Sequence, residues 1–200
     1  MRPISKSTLA KAFFSAWATV LLVICSSLMV SHWVALPVPK NAQMLINNTV
    51  STSATTQDIK VFHILLKSCP CSRRIVNHLK VRPAIQGVKE YVVLVGSPGE
   101  MSEYDWSFPV HFDVSFQSKE EIVRKTGIES APLLLVTQAD AGLVYSGGYT
   151  NRKQGLEIQD SEIINAIKRG IRPNPLPVLG CAISKKLKSA IDPLGLKYSL

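Results

Sequence analysis

Acidic side chains are scarce in this 200-residue chain: 14 Asp and Glu stand against 23 Lys and Arg, for a formal net charge of +9. From Ala12 to Leu36 there is no Asp, Glu, Lys or Arg over 25 residues. That excludes a solvated surface segment. At about 1.5 Å per residue the run is long enough to cross a hydrocarbon core of about 30 Å. Several catalytic signatures are missing as well. There is no Gly-rich phosphate loop, no Gly-x-Ser-x-Gly elbow and no His-Glu-x-x-His, which leaves P-loop, serine-hydrolase and metallopeptidase chemistry without a sequence basis. No basic stripe interleaved with aromatics crosses the central part, so nucleic acid is not an expected partner. The positive charge gathers at the two ends. Arg2, Lys6 and Lys11 precede the apolar run with no acid beside them, and after residue 171 Arg172, Lys185, Lys186, Lys188 and Lys197 face Asp192.

Bases ahead of an apolar span hold a short N-terminus in the cytoplasm and send the rest across. The run is longer than the apolar core of about 7–15 residues in a signal peptide, and it shows no clear Ala-x-Ala cleavage site. The expected organisation is a cytoplasmic N-terminus over 1–11, a transmembrane anchor over 12–36, a linker rich in Pro, Asn, Ser and Thr over 37–57, a folded domain over 58–171 and a basic C-terminal extension over 172–200. This predicts a single-pass membrane protein with an extracytoplasmic domain, periplasmic if the cell is bacterial.

Cys25 falls inside the apolar run; Cys69, Cys71 and Cys181 lie beyond it. Two of these form Ser68-Cys69-Pro70-Cys71-Ser72, between the apolar run 59–66 and the amphipathic segment 72–80, which carries Ile75, Val76 and Leu79 on one face. A thiol at a strand-to-helix junction meets backbone N–H groups and the positive end of the helix dipole, which favour thiolate. Only the thiolate attacks a disulfide. Cys69 is therefore expected to be an exposed, helix-capping nucleophile, with Arg73 and Arg74 as candidates for lowering its pKa.

Hydrophobic patterning predicts strands over 59–66, 91–95, 133–137 and 143–146, an extended stretch over 109–113, and helices over 72–80, 118–126 and 160–171. Ser118 and Glu121 have capping-box spacing. Asp140-Ala141-Gly142 reads as a hairpin turn. Strands alternating with helices and closing in a hairpin imply an α/β domain with helices on both faces of its sheet. Cys181 follows a Pro-rich break and precedes a further helix to Ile191.

With these pieces in order, residues 58–171 resemble the thioredoxin-like family, more closely its membrane-anchored extracytoplasmic thiol–disulfide oxidoreductases. Cys69-Pro70-Cys71 at the end of the first strand carries the resemblance. So do the loop Gly127-Ile128-Glu129-Ser130-Ala131-Pro132-Leu133 and the hairpin 140–148, which ends in Gly147-Gly148. The resemblance implies a thioredoxin-like fold, a central mixed sheet flanked by helices. It implies catalysis by Cys69 and Cys71 without a diffusible cofactor, beside Pro132, which is cis in that family. The implied partners are proteins with thiols or disulfides and a membrane or extracytoplasmic electron donor.

The motif departs from the family's Cys-x-x-Cys. Either Pro70-Cys71 matches the proline and second cysteine, which leaves Ser68 at the nucleophile position, or Cys69 is the nucleophile and Ser72 takes the second place. The dipole argument favours the second register. Cys181 is either a resolving thiol or a packed one. His63, His78 and His111 raise an alternative: Cys69, Cys71 and His78 form a soft-ligand set suited to Cu(I), as in a copper-binding metallochaperone or assembly factor. A non-catalytic interaction domain is the third reading.

Overall fold

The computed structural model describes residues 6–39, 59–97, 99–100, 104–138, 142–153, 155, 157–193, 195 and 197–198. The chain divides into two compact units, one ending at Val34 and one beginning at Ala35. The first holds helix α1, Lys6–Trp33. Its segment Ser7–Ser26 is long and apolar enough to span a membrane, a test that a signal sequence also passes. The helix stops three residues short of the expected boundary at 36. Leu36 is instead buried in the second unit, where its N–H donates to Val178 O at 2.8 Å. Most of the expected linker, Asp140 and Ala141 of the expected hairpin turn, and Arg2 lie outside the described residues.

The second unit runs β1 (Ile59–Leu66), α2 (Pro70–Val81), β2 (Val88–Val95), β3 (Phe112–Gln117), α3 (Lys119–Thr126), β4 (Ser130–Ala131), β5 (Leu133–Gln138), β6 (Gly142–Gly147), α4 (Asp160–Lys168), β7 (Cys181–Ala182) and α5 (Lys185–Ile191). Five strands form a mixed sheet in the order β3-β2-β1-β5-β6. β1 pairs parallel with β2, and β2 with β3; β5 runs antiparallel to both β1 and β6. Because alternate strand residues face opposite sides, the sheet has two cores. Phe62, Ile64 and Leu66 of β1 join Val93, Leu133 and α3's Ile122 on one face. Val61 and Leu65 join Ile75, Val76 and Leu79 of α2 and Ile163, Ile164 and Ile167 of α4 on the other.

Local chemistry sets the helix ends. α2 starts two residues before its expected first position because Pro70, whose φ is already helical, sits in the first turn. Ser118 caps α3 by accepting from Glu121 N–H, as the spacing predicts. Glu121's carboxylate pairs with Lys125. The stretch expected over 109–113 becomes the longer strand β3, displaced toward residue 117, because β2 offers it a parallel partner from Glu90 to Val95.

The segment after 171 was expected to be an extension outside the domain. It is part of the fold. Gly148 N–H donates to Leu176 O at 2.8 Å, Leu36 bridges Val178, and β7 pairs with β4. A Cβ on Gly148 would meet Pro177 O at 2.0 Å, so the glycine pair that ends β6 makes room for this returning segment.

Candidate functional site

Cys69 is the N-cap residue of α2, directly after β1 and the turn Lys67-Ser68. Its side chain makes no cap hydrogen bond and is fully buried, at 0% exposure. The expectation of an exposed, dipole-stabilised Cys69 is corrected here. The thiol lies in the core beside β4, with Sγ 3.8 Å from Ala131 O, and the backbone N–H of Ser72 in the first turn of α2 lowers its pKa by less than its other surroundings raise it. Cys71, one position into the helix beyond Pro70, is half-buried. Ser72, the second-cysteine position of the favoured register, is buried and accepts from Leu66 N–H at 3.0 Å. It ties the helix to the end of β1.

Cys181 joins the pair. In β7 it stands opposite Ala131, and the Ala131–Pro132 bond is cis. Cys71 and Cys181 both pack against the buried cluster that holds Cys69, and each of the two shifts the titration of Cys69. The fold thus collects three sulfurs from a helix start and a C-terminal strand around one cis-proline turn.

The three thiols differ electrostatically. The hydrogen bond to Cys181 holds the proton on Cys69, and burial adds to it, so Cys69 is pushed up to about 11. Cys71 is also raised, first by its hydrogen bond to Cys69 and then by burial. Cys181 is lowered, because it accepts from Cys69, with Lys197 and Lys153 adding favourable charge. One thiolate is therefore stabilised at the Cys181 end of a donor chain from Cys71 through Cys69. The expected cations are not the ones that act. Arg73 lies over the Tyr104 ring, 5.9 Å from its centroid, and Arg74 donates to Gly155 O. Lys153 and Lys197 take that part; loop lysines far apart in sequence give no signal of it.

A cavity of about 410 Å³ opens beside the cluster, lined by Pro70, Cys71, Ile75, Pro132, Tyr149 and Leu179. Cys71 is the cysteine in its wall. Tyr149 links the cavity to a buried polar network that the spacing of residues does not reveal. His63 Nδ1 is 3.0 Å from Tyr149 Oη, and His63 Nε2 is 3.1 Å from Glu90 Oε2. Arg82 pairs with Glu90, and its Nε donates to Asp160 Oδ2 at 2.8 Å. His78 Nε2 is 2.8 Å from Asp160 Oδ1. Burial alone would raise both carboxyls. For Glu90, hydrogen bonds from His63 and Arg82 outweigh it and hold the group below its usual range. For Asp160, His78 and Arg82 do the same.

His78 Nε2 is engaged with Asp160, and among the described residues no group of three or more His, Cys, Asp or Glu side chains has the geometry to hold a metal ion.

No family model and no curated protein matches the chain. Among solved structures, a hypothetical protein from Sinorhizobium meliloti 1021 is similar at TM-score 0.48 and 16% identity, over 62% of this chain and 78% of that one. An uncharacterized conserved protein from Geobacillus kaustophilus is similar at TM-score 0.45 and 17% identity, over 76% and 90% of the respective chains.

Proposed function

We propose that this chain is a membrane-tethered thiol–disulfide oxidoreductase with a thioredoxin-like domain, exchanging disulfides with protein partners outside the cytoplasm. One observation carries the reading: three cysteines pack against one buried cluster beside Pro132, and one of them lines an open cavity. A purely packing role for cysteine needs no such convergence. The strand order and the cis bond after Ala131 support the fold assignment. The basic residues before an apolar helix support the orientation.

Burial reassigns the entry point. A partner sulfur cannot collide with the fully buried Cys69, whereas Cys71 faces the cavity. Cys71 loses its proton to solvent as it attacks the partner disulfide, with Lys153 and Lys197 favouring its thiolate, and Cys69, two residues before it, displaces the partner from the mixed disulfide. Pro132 lines the same cavity, next to the entering chain.

Trapping tests this. In the Cys69→Ser variant a partner should remain covalently attached to Cys71 and be released by dithiothreitol, and the wild type should reduce insulin disulfides. The reading is lost if the wild type is inactive and Cys71 neither traps a partner nor reacts with iodoacetamide in the folded, reduced protein.

A further inference from the structure

We propose that Cys181 is a third catalytic thiol, and that the oxidised chain carries a Cys69–Cys181 disulfide with Cys71 free. This rests on the oxidoreductase reading above and names where its oxidising equivalents come to rest.

The geometry puts Cys69 in the middle. Cys71, two residues on, and Cys181, across the β4–β7 ladder, both pack against the cluster that holds Cys69, and Ala131 is both the in-register partner of Cys181 and the acceptor 3.8 Å from Cys69 Sγ. The strand carrying Cys181 is held from both sides. Ile183 N–H donates to Glu129 O at 2.7 Å, Ala182 N–H donates to Tyr198 Oη at 3.0 Å, and Gly180 packs against the cis-proline turn. Cys181 is thus a positioned sulfur. A bridge between Cys69 and Cys71 would close across a single proline and store strain, which makes it a good leaving disulfide. A bridge between Cys69 and Cys181 joins two segments the fold already holds together.

Two electrons move in three exchanges. Cys71 gives its proton to solvent as its Sγ bonds to one partner sulfur, the partner S–S bond breaks, and the other partner sulfur leaves as a thiolate that takes a proton from water. Cys69 passes its proton to Cys181 and attacks Cys71 Sγ, and the second partner sulfur leaves as a thiolate that takes a proton from water. Cys181 loses that proton to solvent and attacks Cys69 Sγ, and Cys71 leaves as thiolate near Lys153. The partner disulfide is reduced to two thiols; Cys69 and Cys181 are oxidised to one disulfide. A dithiol reductant runs the same exchanges backwards and resets the site.

The test uses the full chain in detergent with Cys25→Ser as background, oxidised by glutathione disulfide, quenched with iodoacetamide and mapped by trypsin. Cleavage after Lys67, Arg73 and Lys185 separates the Cys69–Cys71 peptide from the Cys181 peptide. The expected product is a Cys69–Cys181 cross-link with alkylated Cys71 and a raised unfolding midpoint. In Cys181→Ser and Cys181→Ala, glutathione retained on Cys71 should rise by roughly tenfold, because no thiol draws the equilibrium forward. A wild type that yields Cys69–Cys71, or Cys71–Cys181, overturns the inference and leaves the oxidoreductase reading standing. A wild type in which none of the three thiols is oxidised overturns both. Wild-type mapping decides even where a variant fails to fold.

Discussion

Gly180 packs directly against the carbonyl of Ala131: a Cβ at residue 180 would lie 2.0 Å from Ala131 O and 2.6 Å from Pro132 Cδ. Both contacts involve backbone or a proline ring, so neither can move aside cheaply. Gly180→Ala should therefore push β7 off β4 and carry Cys181 away from Cys69. The expected loss is about 1–3 kcal/mol, the usual cost of overpacking. Urea unfolding measures it. Iodoacetamide modification of Cys181 in the folded, reduced protein should also become faster, because the strand that shelters it has shifted.

Proton sharing among the thiols predicts a staggered titration. Cys181 sits below its ordinary value, and Cys69 and Cys71 sit above theirs. A thiolate is therefore present at Cys181 above its lowered pKa, while the other two keep their protons to higher pH. Followed by ultraviolet thiolate absorbance, the wild type should show one early step well separated from the next. Cys181→Ala should abolish the early step and bring the Cys69 titration down, since its largest upward influence is gone. An unchanged curve in that variant would contradict the hydrogen-bond chain.

Arg82 holds two buried carboxylates at once, Glu90 and Asp160. Arg82→Met keeps much of the side-chain volume but leaves both anions without their guanidinium. Removing one partner of a buried ion pair costs about 3–5 kcal/mol, and this network should show a loss of that order in denaturant unfolding. Lys80→Met is the control. Its partner Asp105 is exposed and screened by solvent, so losing the pair should leave the unfolding curve nearly unchanged.

The same network sets an acid limit. Glu90 and Asp160 both titrate below their unfolded values in the native state. Unfolded Glu and Asp titrate near about 4.3 and 3.9. Their stabilising contribution is complete above those values and is lost as pH falls through the lower native ones, where the native carboxylates finally protonate. The unfolding midpoint measured against pH should decline below about pH 4. Glu90→Gln or Asp160→Asn should flatten that decline, though at lower stability throughout.

Much of the fold was legible along the chain because it follows from local rules. The buried run 59–66 became β1 residue for residue, since a β-branched apolar run bounded by polar turn residues has few other solutions. Ser118 and Gly127 bounded α3 through capping chemistry that spans only a turn. Ile163, Ile164 and Ile167 turned inward because helical periodicity fixes one apolar face.

Contacts between distant segments were not legible. The amino-acid order placed Cys69 and Cys71 at a strand-to-helix junction and an apolar helix near the N-terminus. Folding turned Cys69 inward, brought the segment after residue 171 back across the cis-proline turn, and set Cys181, Lys153 and Lys197 against the same sulfurs. A glycine beside a cysteine in a Pro-rich stretch was the one local hint, because it marks a close approach without saying to what. Secondary structure is set by interactions a few residues apart. The reactivity of a thiol depends on whatever charge, dipole and burial surround it, and those come from parts of the chain that meet only in three dimensions.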